Sequence, residues 1–140
     1  MSGVAEPQDL TGRCLCGGLR FRLTERPMGV VNCHCGQCRR FHGHFGAYVS
    51  VPRPTVRFEA EETLRWFQSS AKAQRGFCGT CGSSLFWKGD DSPFLDVTAG
   101  CLDAPTGLTT LRHIFVADQG DYYVIDDALE RFPGTASEPP

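Results

Sequence analysis

Residues 13–23 read Arg-Cys-Leu-Cys-Gly-Gly-Leu-Arg-Phe-Arg-Leu, and they combine a cysteine turn with an alternating run. From Leu19 to Leu23, apolar side chains alternate with arginine. A period of two places the apolar side chains on one face of a strand and the charged ones on the other. The segment therefore predicts a half-buried β-strand that the chain enters through a turn bearing Cys14 and Cys16.

The remaining sequence has the same strand character in short segments. These segments are rich in β-branched and aromatic residues, and glycine, proline or aspartate separates them. Such punctuation is typical of strands joined by turns. Only residues 36–42 and 126–132 look helical, and Pro133 ends the second of them. We therefore predict a mainly β fold with few short helical turns, and the further strands are expected at residues 45–51, 56–60, 63–68, 83–88, 94–99, 112–117 and 121–125.

The size and composition of the chain fit one globular domain. It has 140 residues, of which 41% are hydrophobic and 21% charged, as is ordinary for a folded protein. We predict a domain over residues 11–134, preceded by a tail of residues 1–10. Residues 135–140 are polar and proline-rich, and we expect them to form a flexible C-terminal tail.

Charge and hydropathy argue against two classes of partner. The formal net charge of −2 provides no general attraction for phosphate backbones, so no nucleic-acid partner is expected. Residues 1–12 lack the apolar core of an export signal, and the apolar runs elsewhere are too short to cross a bilayer as a helix. We therefore expect a soluble cytoplasmic protein without a membrane partner. The oligomeric state cannot be read from the sequence.

Cysteine carries the main functional signal. Without an export signal, thiols stay reduced and available for metals. Glycine beside each cluster permits tight turns, in which two sulfurs can converge on one zinc ion at about 2.3 Å. Disulfides are less favoured because of the missing export signal and the paired spacings of the cysteines. Thioredoxin-like chemistry at the two Cys-x-x-Cys motifs is less favoured because no strand-helix-strand context surrounds them. Zinc is therefore the predicted cofactor, and seven of the eight cysteines form its candidate ligands in three clusters: Cys14 and Cys16; Cys33, Cys35 and Cys38; Cys78 and Cys81.

Seven sulfurs suffice for one closed tetrahedral site and one site with three cysteines. A zinc ribbon made from Cys35, Cys38 and the third cluster is disfavoured, because 39 residues separate Cys38 from Cys78. The preferred partition has a four-cysteine site and leaves the middle cluster as a triplet. A closed site is structural, whereas three protein ligands leave a position open for substrate or water. The four-cysteine site would be Cys14, Cys16, Cys78 and Cys81, and the triplet Cys33, Cys35 and Cys38.

Histidines near the triplet have open roles at this stage. His34, His42 or His44 could complete the triplet into a closed site, and the last two could also transfer protons. For His34, an exposed turn position is the simpler interpretation. Cys101 lies outside the clusters and is interpreted as a small buried apolar residue with no ligand role.

Basic residues flank the clusters and could bind a carboxylate of a thiol peptide. Individually, each is more simply interpreted as a solvated or strand-face side chain. Aromatic residues near the clusters could line a pocket, although aromatics at strand period mostly form core. The basic candidates are Arg39, Arg40, Lys72 and Arg75, and the aromatic ones Phe41, Phe45, Phe77, Phe86 and Trp87.

Four segments together resemble the glutathione-dependent formaldehyde-activating enzyme family. The resemblance spans residues 11–133 and includes all three cysteine clusters in order. It implies a β fold of the Mss4-like type with antiparallel sheets, a structural zinc on the four-cysteine site and a second, weaker-bound catalytic zinc on the triplet. The segments are Gly-Arg-Cys-Leu-Cys-Gly-Gly-Leu-Arg-Phe at 12–21, Asn-Cys-His-Cys-Gly-Gln-Cys-Arg-Arg at 32–40, Arg-Gly-Phe-Cys-Gly-Thr-Cys-Gly-Ser at 75–83 and His-Ile-Phe-Val-Ala-Asp at 113–118.

The resemblance implies a zinc-dependent carbon-sulfur lyase acting on the adduct of a small thiol and a small aldehyde. The reaction that names the family joins glutathione to formaldehyde and gives S-(hydroxymethyl)glutathione. Zinc bound by three thiolates would have a formal charge of about −1, so exchange of a thiol ligand is favoured over strong carbonyl polarisation. The alternative is a non-catalytic zinc-binding thiol carrier or interaction module.

Overall fold

A computed structural model describes residues 9–136 of the chain. Residues 1–8 and 137–140, which belong to the two predicted tails, lie outside the described residues. The first strand begins at Leu10, one residue before the predicted start of the domain. Gly134, at its predicted end, accepts a hydrogen bond from the Phe115 amide.

A small antiparallel sheet contains the strand that residues 13–23 predicted. In that strand Phe21 and Leu23 are buried while Arg20 and Arg22 are exposed, which confirms the alternating pattern. This sheet has the order β1-β2-β5, with β1 at Leu10–Arg13, β2 at Arg20–Leu23 and β5 at Val56–Ala60.

The larger sheet has eight strands in the order β11-β10-β3-β4-β9-β8-β7-β6. Most pairs are antiparallel, as expected, but β10 pairs in parallel with both β3 and β11. A parallel pair requires a crossover of about a dozen residues or more, and residues 115–129 supply one between β10 and β11. The strands are β3 (Val30–Cys33), β4 (Gly46–Pro52), β6 (Leu64–Ser70), β7 (Ala73–Cys78), β8 (Ser84–Gly89), β9 (Phe94–Thr98), β10 (Thr110–Ile114) and β11 (Glu130–Arg131).

Helical structure is sparse. The predicted helix over residues 36–42 is present as α1, Gly36–His42, and Gly43 ends it with a positive φ of 80°. Three short 3₁₀ turns complete the helical structure of residues 9–136: Arg53–Thr55, Ala99–Cys101 and Val116–Asp118. No helix in this part of the chain is long and apolar enough to span a bilayer.

Two local predictions near the C-terminus are wrong. Residues 126–132 form no helix, because their backbone pairs with β10: the Phe132 amide donates to the His113 carbonyl at 3.0 Å. The local helix propensity of this segment is weak, and backbone hydrogen bonds to the edge of the sheet stabilise it more than a helix would. Residues 121–125 form no strand but a loop, and Tyr122 and Tyr123 of this loop pack on His44 and His34.

The core lies between one face of the large sheet and the small sheet. Phe21 of the small sheet meets Phe86 of β8 edge to face, with ring centroids 5.2 Å apart. Along β4 and β9, alternate residues point into this core while their neighbours face away from it. The core-facing side chains of these two strands are Val49, Val51, Leu95 and Val97.

Truncation of Phe86 to alanine should lower the free energy of unfolding by about 3–5 kcal/mol, because it removes a fully buried ring between the sheets. Urea unfolding followed by circular dichroism measures the loss. Phe67→Ala is the matched control, since that ring on β6 is 55% exposed and should cost less than about 1 kcal/mol. Equal losses in the two variants would contradict this placement of the core.

Candidate metal centres and the adjoining cavity

Four cysteines from two remote turns meet at one point. The Sγ atoms of the four-cysteine site all lie within 4.8 Å of one another. The Cys14 and Cys16 sulfurs are 3.6 Å apart, and those of Cys16 and Cys78 are 3.8 Å apart. A tetrahedral ion with bonds of about 2.3 Å to sulfur requires sulfurs about 3.8 Å apart. This donor set therefore fits a thiolate-bound metal ion such as zinc.

Each of the two turns is shaped for this convergence. The Gly82 amide donates to the Cys78 carbonyl at 2.8 Å, and Gly82 has a positive φ of 80° that favours glycine. Backbone amides also point at the sulfurs: Leu19 N lies 3.3 Å from Cys14 Sγ, and Cys81 N lies 3.4 Å from Cys78 Sγ. Such N–H groups stabilise thiolate.

Side-chain hydroxyls add to this effect in the third cluster. Ser83 lies 3.2 Å from the sulfur of Cys81 and is the main cause that lowers the pKa of this thiol to about 5. Thr63 lies 3.3 Å from the sulfur of Cys78 and is the first cause that lowers its pKa. The cluster is therefore prepared to supply thiolates near neutral pH.

The triplet forms a second group whose three Sγ atoms also lie within 4.8 Å of one another. Cys33 ends β3, and Cys35 is the N-cap of α1, where its sulfur accepts the Cys38 amide at 3.3 Å. Hydrogen bonds from Cys33 and Cys38 hold the pKa of the Cys35 thiol far below its usual range, and the charge of Arg75 adds to the lowering. The triplet thus stabilises negative charge on the Cys35 sulfur, whereas the pKa of Cys33 is raised, first by its hydrogen bond with Cys35, and that of Cys38 is also raised.

No histidine of residues 9–136 joins either sulfur group. His42 Nε2 lies 2.6 Å from the Tyr48 hydroxyl, and His44 Nδ1 lies 2.7 Å from that of Tyr122. The expectation that a histidine closes the triplet therefore finds no support. Cys101 lies outside both groups, and burial raises the pKa of its thiol to about 11.

Arg75 is buried beside the triplet. Its exposed fraction is only 3%, so it is not a solvated side chain, although it does lie on a face of a strand, β7. The guanidinium donates to the Tyr48 hydroxyl and to Gln37 Oε1, each at 3.1 Å, and lies 3.8 Å from Cys38 Sγ. Among residues 9–136 no carboxylate pairs with Arg75. The guanidinium instead faces sulfur, and its charge adds to the lowering of the Cys35 pKa.

A chain of hydrogen-bonded polar groups, of which the two histidines are buried, holds the residue between Cys33 and Cys35. His34 is 1% exposed, which corrects its interpretation as an exposed turn residue. Its Nδ1 lies 2.5 Å from the Tyr123 hydroxyl and its Nε2 lies 2.9 Å from His113 Nδ1. His113 Nε2 in turn lies 2.9 Å from an Asp127 carboxylate oxygen. Burial is the main cause that lowers the pKa of His34 to about 4, so its ring is neutral at pH 7.

Sequence reasoning missed several of these groups. Tyr48, Tyr123 and Asp127 have no motif to mark them, and the last two lie more than 80 residues from the triplet. Their positions follow only from strand order. Of the other basic candidates, Arg40 and Lys72 are exposed and Arg39 is half-buried.

A cavity of about 740 Å³ opens beside the triplet, on the face of the large sheet that points away from the core. Its wall includes the triplet itself, Tyr48 and Arg75. Trp87 lines it, as one of the aromatic candidates, whereas Phe86 belongs to the core. Burial raises the pKa of Asp96 on this wall to about 6, against a hydrogen bond from Ser50 that lowers it.

Comparisons with known proteins found a matching family, related proteins and a shared fold. A family model described as glutathione-dependent formaldehyde-activating enzyme matches residues 9–118. A protein of Schizosaccharomyces pombe named an uncharacterized lyase is 25% identical, over 80% of this chain and 82% of its own length. A putative glutathione-dependent formaldehyde-activating enzyme of Halomonas elongata is 28% identical, over 55% of this chain and 54% of its own. A crystal structure of a Rhodobacter sphaeroides protein shares the fold, with a TM-score of 0.58 and 22% identity over 71% of this chain and 98% of that one.

The two sulfur groups should respond differently to mutation. Cys78→Ser should abolish cooperative thermal unfolding, because a metal bound between the sheets would contribute directly to folding. Cys35→Ser should keep the fold and lose one of two metal ions, counted by native mass spectrometry. Cys101→Ser is the matched control, with both ions retained. A Cys78→Ser protein as stable as the parent would contradict a structural role for the four-cysteine site.

Stability should also depend on Asp96 in a defined pH window. Since burial raises the folded-state pKa to about 6 from 3.8, stability is greatest below the lower value and falls as pH rises through the higher one. Between pH 5 and pH 8 the free energy of unfolding should fall by about 1 kcal/mol because of this group, and Asp96→Asn should remove that fall. Urea unfolding at both pH values measures the difference, and exposed Asp91→Asn should leave the pH dependence unchanged. If the free energy of unfolding of Asp96→Asn depended on pH as steeply as that of the parent, the raised pKa of Asp96 would be contradicted.

Proposed function

The chain belongs to the glutathione-dependent formaldehyde-activating enzyme family, and from this membership we propose that it is a zinc-dependent carbon-sulfur lyase. Its substrate would be the adduct of a small thiol of the glutathione type with a small aldehyde. The observation that carries the proposal is the triplet of thiols at the wall of a cavity large enough for such an adduct. A cytoplasmic location would keep these thiols reduced.

We assign two zinc ions to each chain. The four-cysteine site would hold the structural ion, closed by four sulfurs that join the two sheets. The triplet would hold the second, weaker-bound ion, since thiolate ligands favour zinc over harder cations. When bound there, zinc supplies an open coordination position that favours the thiolate form of a substrate thiol at neutral pH.

Charge balance explains the surroundings of the triplet. Three thiolates crowd negative charge into a partly buried site, and the Arg75 guanidinium offsets part of it from 3.8 Å. Tyr48 and Gln37 fix this guanidinium in place. We infer that Arg75 positions the triplet and sets how much further negative charge, in the form of a substrate thiolate, the site accepts.

Proton-holding groups also adjoin the triplet. Burial raises the pKa of Tyr48, so its hydroxyl remains protonated. Burial is likewise the first cause that lowers the pKa of His42 to about 4, so its ring is neutral, and its Nε2 lies 2.6 Å from the Tyr48 hydroxyl and orients it. We infer that the Tyr48 hydroxyl forms a hydrogen bond with the oxygen of the aldehyde, which gains a proton when the adduct forms and loses it when the adduct breaks.

The cavity wall offers one further group for a thiol peptide. Arg112 lines the cavity, and its Nε atom is buried with no hydrogen-bond partner among the described residues. A guanidinium of this kind binds carboxylates well. Arg112 is therefore the candidate for a carboxylate of the thiol substrate, a role that sequence reasoning gave to other basic residues.

Cobalt substitution tests the proposal directly. Added glutathione should change the visible absorption of the cobalt-loaded protein, because a new sulfur enters the coordination of the ion at the triplet. Cys35→Ser is the control, and it should retain the bands of the four-cysteine site without responding to thiol. A parent protein whose spectrum ignores thiols would overturn both the enzyme and the thiol-carrier alternative.

Exchange spectroscopy by NMR separates those two alternatives. An enzyme should accelerate exchange between glutathione with formaldehyde and their adduct beyond the uncatalysed rate. A carrier would bind the thiol, with the same cobalt response, and leave the exchange rate unchanged. That second result would reject lyase activity.

A further inference from the structure

The cavity beside the triplet points to a more specific substrate. We propose, resting on the proposed function, that the aldehyde component of the adduct is larger than formaldehyde and apolar. Its carbon chain or ring would occupy the cavity while the sulfur of the adduct lies at the triplet. The relevant features are the place of the cavity in the sheet, its apolar wall and the few polar groups in it.

The floor of the cavity is built by neighbouring strands in register. Ser50 of β4 lies opposite Asp96 of β9, Asp96 lies opposite Trp87 of β8, and Trp87 lies opposite Arg75 of β7. Directly paired side chains on one face of a sheet are about 5 Å apart. The row therefore runs across four strands from the guanidinium beside the triplet to Ser50. A ligand whose sulfur is held at the triplet can extend over this row and against the apolar side chains that line the cavity beside it.

Much of the cavity wall is apolar. Phe94 is 46% exposed and Met28 is 90% exposed, although both are large apolar side chains. Formaldehyde has one carbon and would cover almost none of this surface. A ligand of several carbons would remove part of it from water, which is favourable. The apolar side chains concerned are Met28, Val31, Trp87, Phe94, Leu111 and Ile114.

The polar groups of the wall leave room for such a chain. Arg75 is already engaged by Tyr48 and Gln37, and Asp96 receives a hydrogen bond from Ser50. Arg112 is the cation left for a carboxylate of the thiol component. The two components of the adduct would thus use different parts of one cavity, the thiol component at its polar groups and the carbon chain along its apolar wall.

The chemistry requires no further reactant. In adduct formation, a thiolate sulfur attacks the carbonyl carbon, and a C–S bond forms while the C=O π bond breaks. The oxygen takes up one proton, equal to the one that the thiol lost. The reverse direction breaks the C–S bond and restores thiol and aldehyde, so neither direction involves an oxidant or a reductant.

The test is the rate of adduct formation as a function of aldehyde length. The zinc-loaded protein is assayed by NMR exchange with glutathione and formaldehyde, propanal, butanal or hexanal, each rate being divided by its uncatalysed rate. A buried methylene is worth about fourfold in affinity, so the normalised kcat/KM for hexanal should exceed that for formaldehyde by about tenfold or more. Catalysis without a gain with length overturns this inference and leaves the proposed function standing. No catalysis with any aldehyde overturns the proposed function, and this inference with it.

A pair of variants at one position links the gain to the cavity. Ser50→Phe fills the far end of the row. It should reduce the ratio of the normalised kcat/KM for hexanal to that for formaldehyde at least fivefold. Ser50→Ala removes the same hydroxyl without filling the space, and it should keep the ratio within about twofold of the parent. The exposed setting of Ser50 makes both replacements compatible with the fold. Equal ratios in the two variants would overturn the placement of the chain.

Binding without reaction supplies an independent readout. The chain has two tryptophans, so Trp66→Phe leaves Trp87 as the single indole. Saturating 1-hexanol, which cannot form the adduct, should shift Trp87 emission to shorter wavelength in this background, and the added Ser50→Phe change should abolish the shift. An emission spectrum indifferent to hexanol would overturn the inference.

Discussion

Convergence of cysteine sulfurs from turns that are remote in sequence is the constraint on which the structure depends. Cys14 and Cys16 belong to the turn between the first two strands of the small sheet, while Cys78 and Cys81 lie between two strands of the large sheet. Four thiols meet at the junction, and the Leu15 amide donates to the Ser83 hydroxyl across it at 2.9 Å. A metal ion held by these four thiols would therefore fix how the sheets face each other, together with the apolar core between them.

Strand β7 connects the four-cysteine site to the triplet. β7 ends at Cys78 of the four-cysteine site, and three residues earlier it carries Arg75, whose guanidinium lies beside the triplet. Because a strand is stiff over so short a distance, a metal ion bound at the four-cysteine site would also set the position of the Arg75 charge beside the triplet. The large sheet thus separates two tasks. One face packs against the small sheet, and the other faces the cavity and the triplet.

Electrostatics around the triplet is unusual for a protein interior. Buried guanidinium groups ordinarily face carboxylates, but Arg75 faces thiols, a phenol and an amide. His34 lies between two cysteines of the triplet. The hydrogen bonds that run from Tyr123 through His34 and His113 to Asp127 give every ring nitrogen of the two histidines a partner. These groups orient the triplet without belonging to it, in the way that outer partners of metal ligands commonly do.

The sequence alone determined what depends on local pattern. Alternation identified β2, the glycine-flanked cysteines identified the seven candidate ligands in three clusters, and the order of the clusters indicated the family. Short-range spacing suffices for these because paired cysteines in one turn must approach the same point, wherever the turn lies in the fold. The helix after Cys35 could be predicted for the same reason, since it begins at a cap and ends at a glycine.

Tertiary structure decided everything that depends on strand order. Tyr123 reaches His34, and Asp127 reaches His113, because β10 pairs in parallel with β3 and the chain after β10 turns back to the same sheet edge. The pairing of β11 with β10 replaced the predicted helix at residues 126–132. Arg75 is buried, and the cavity exists, because residues far apart in sequence lie side by side on one sheet face. No local period encodes such neighbours, since register and order are fixed by the free energy of the whole sheet.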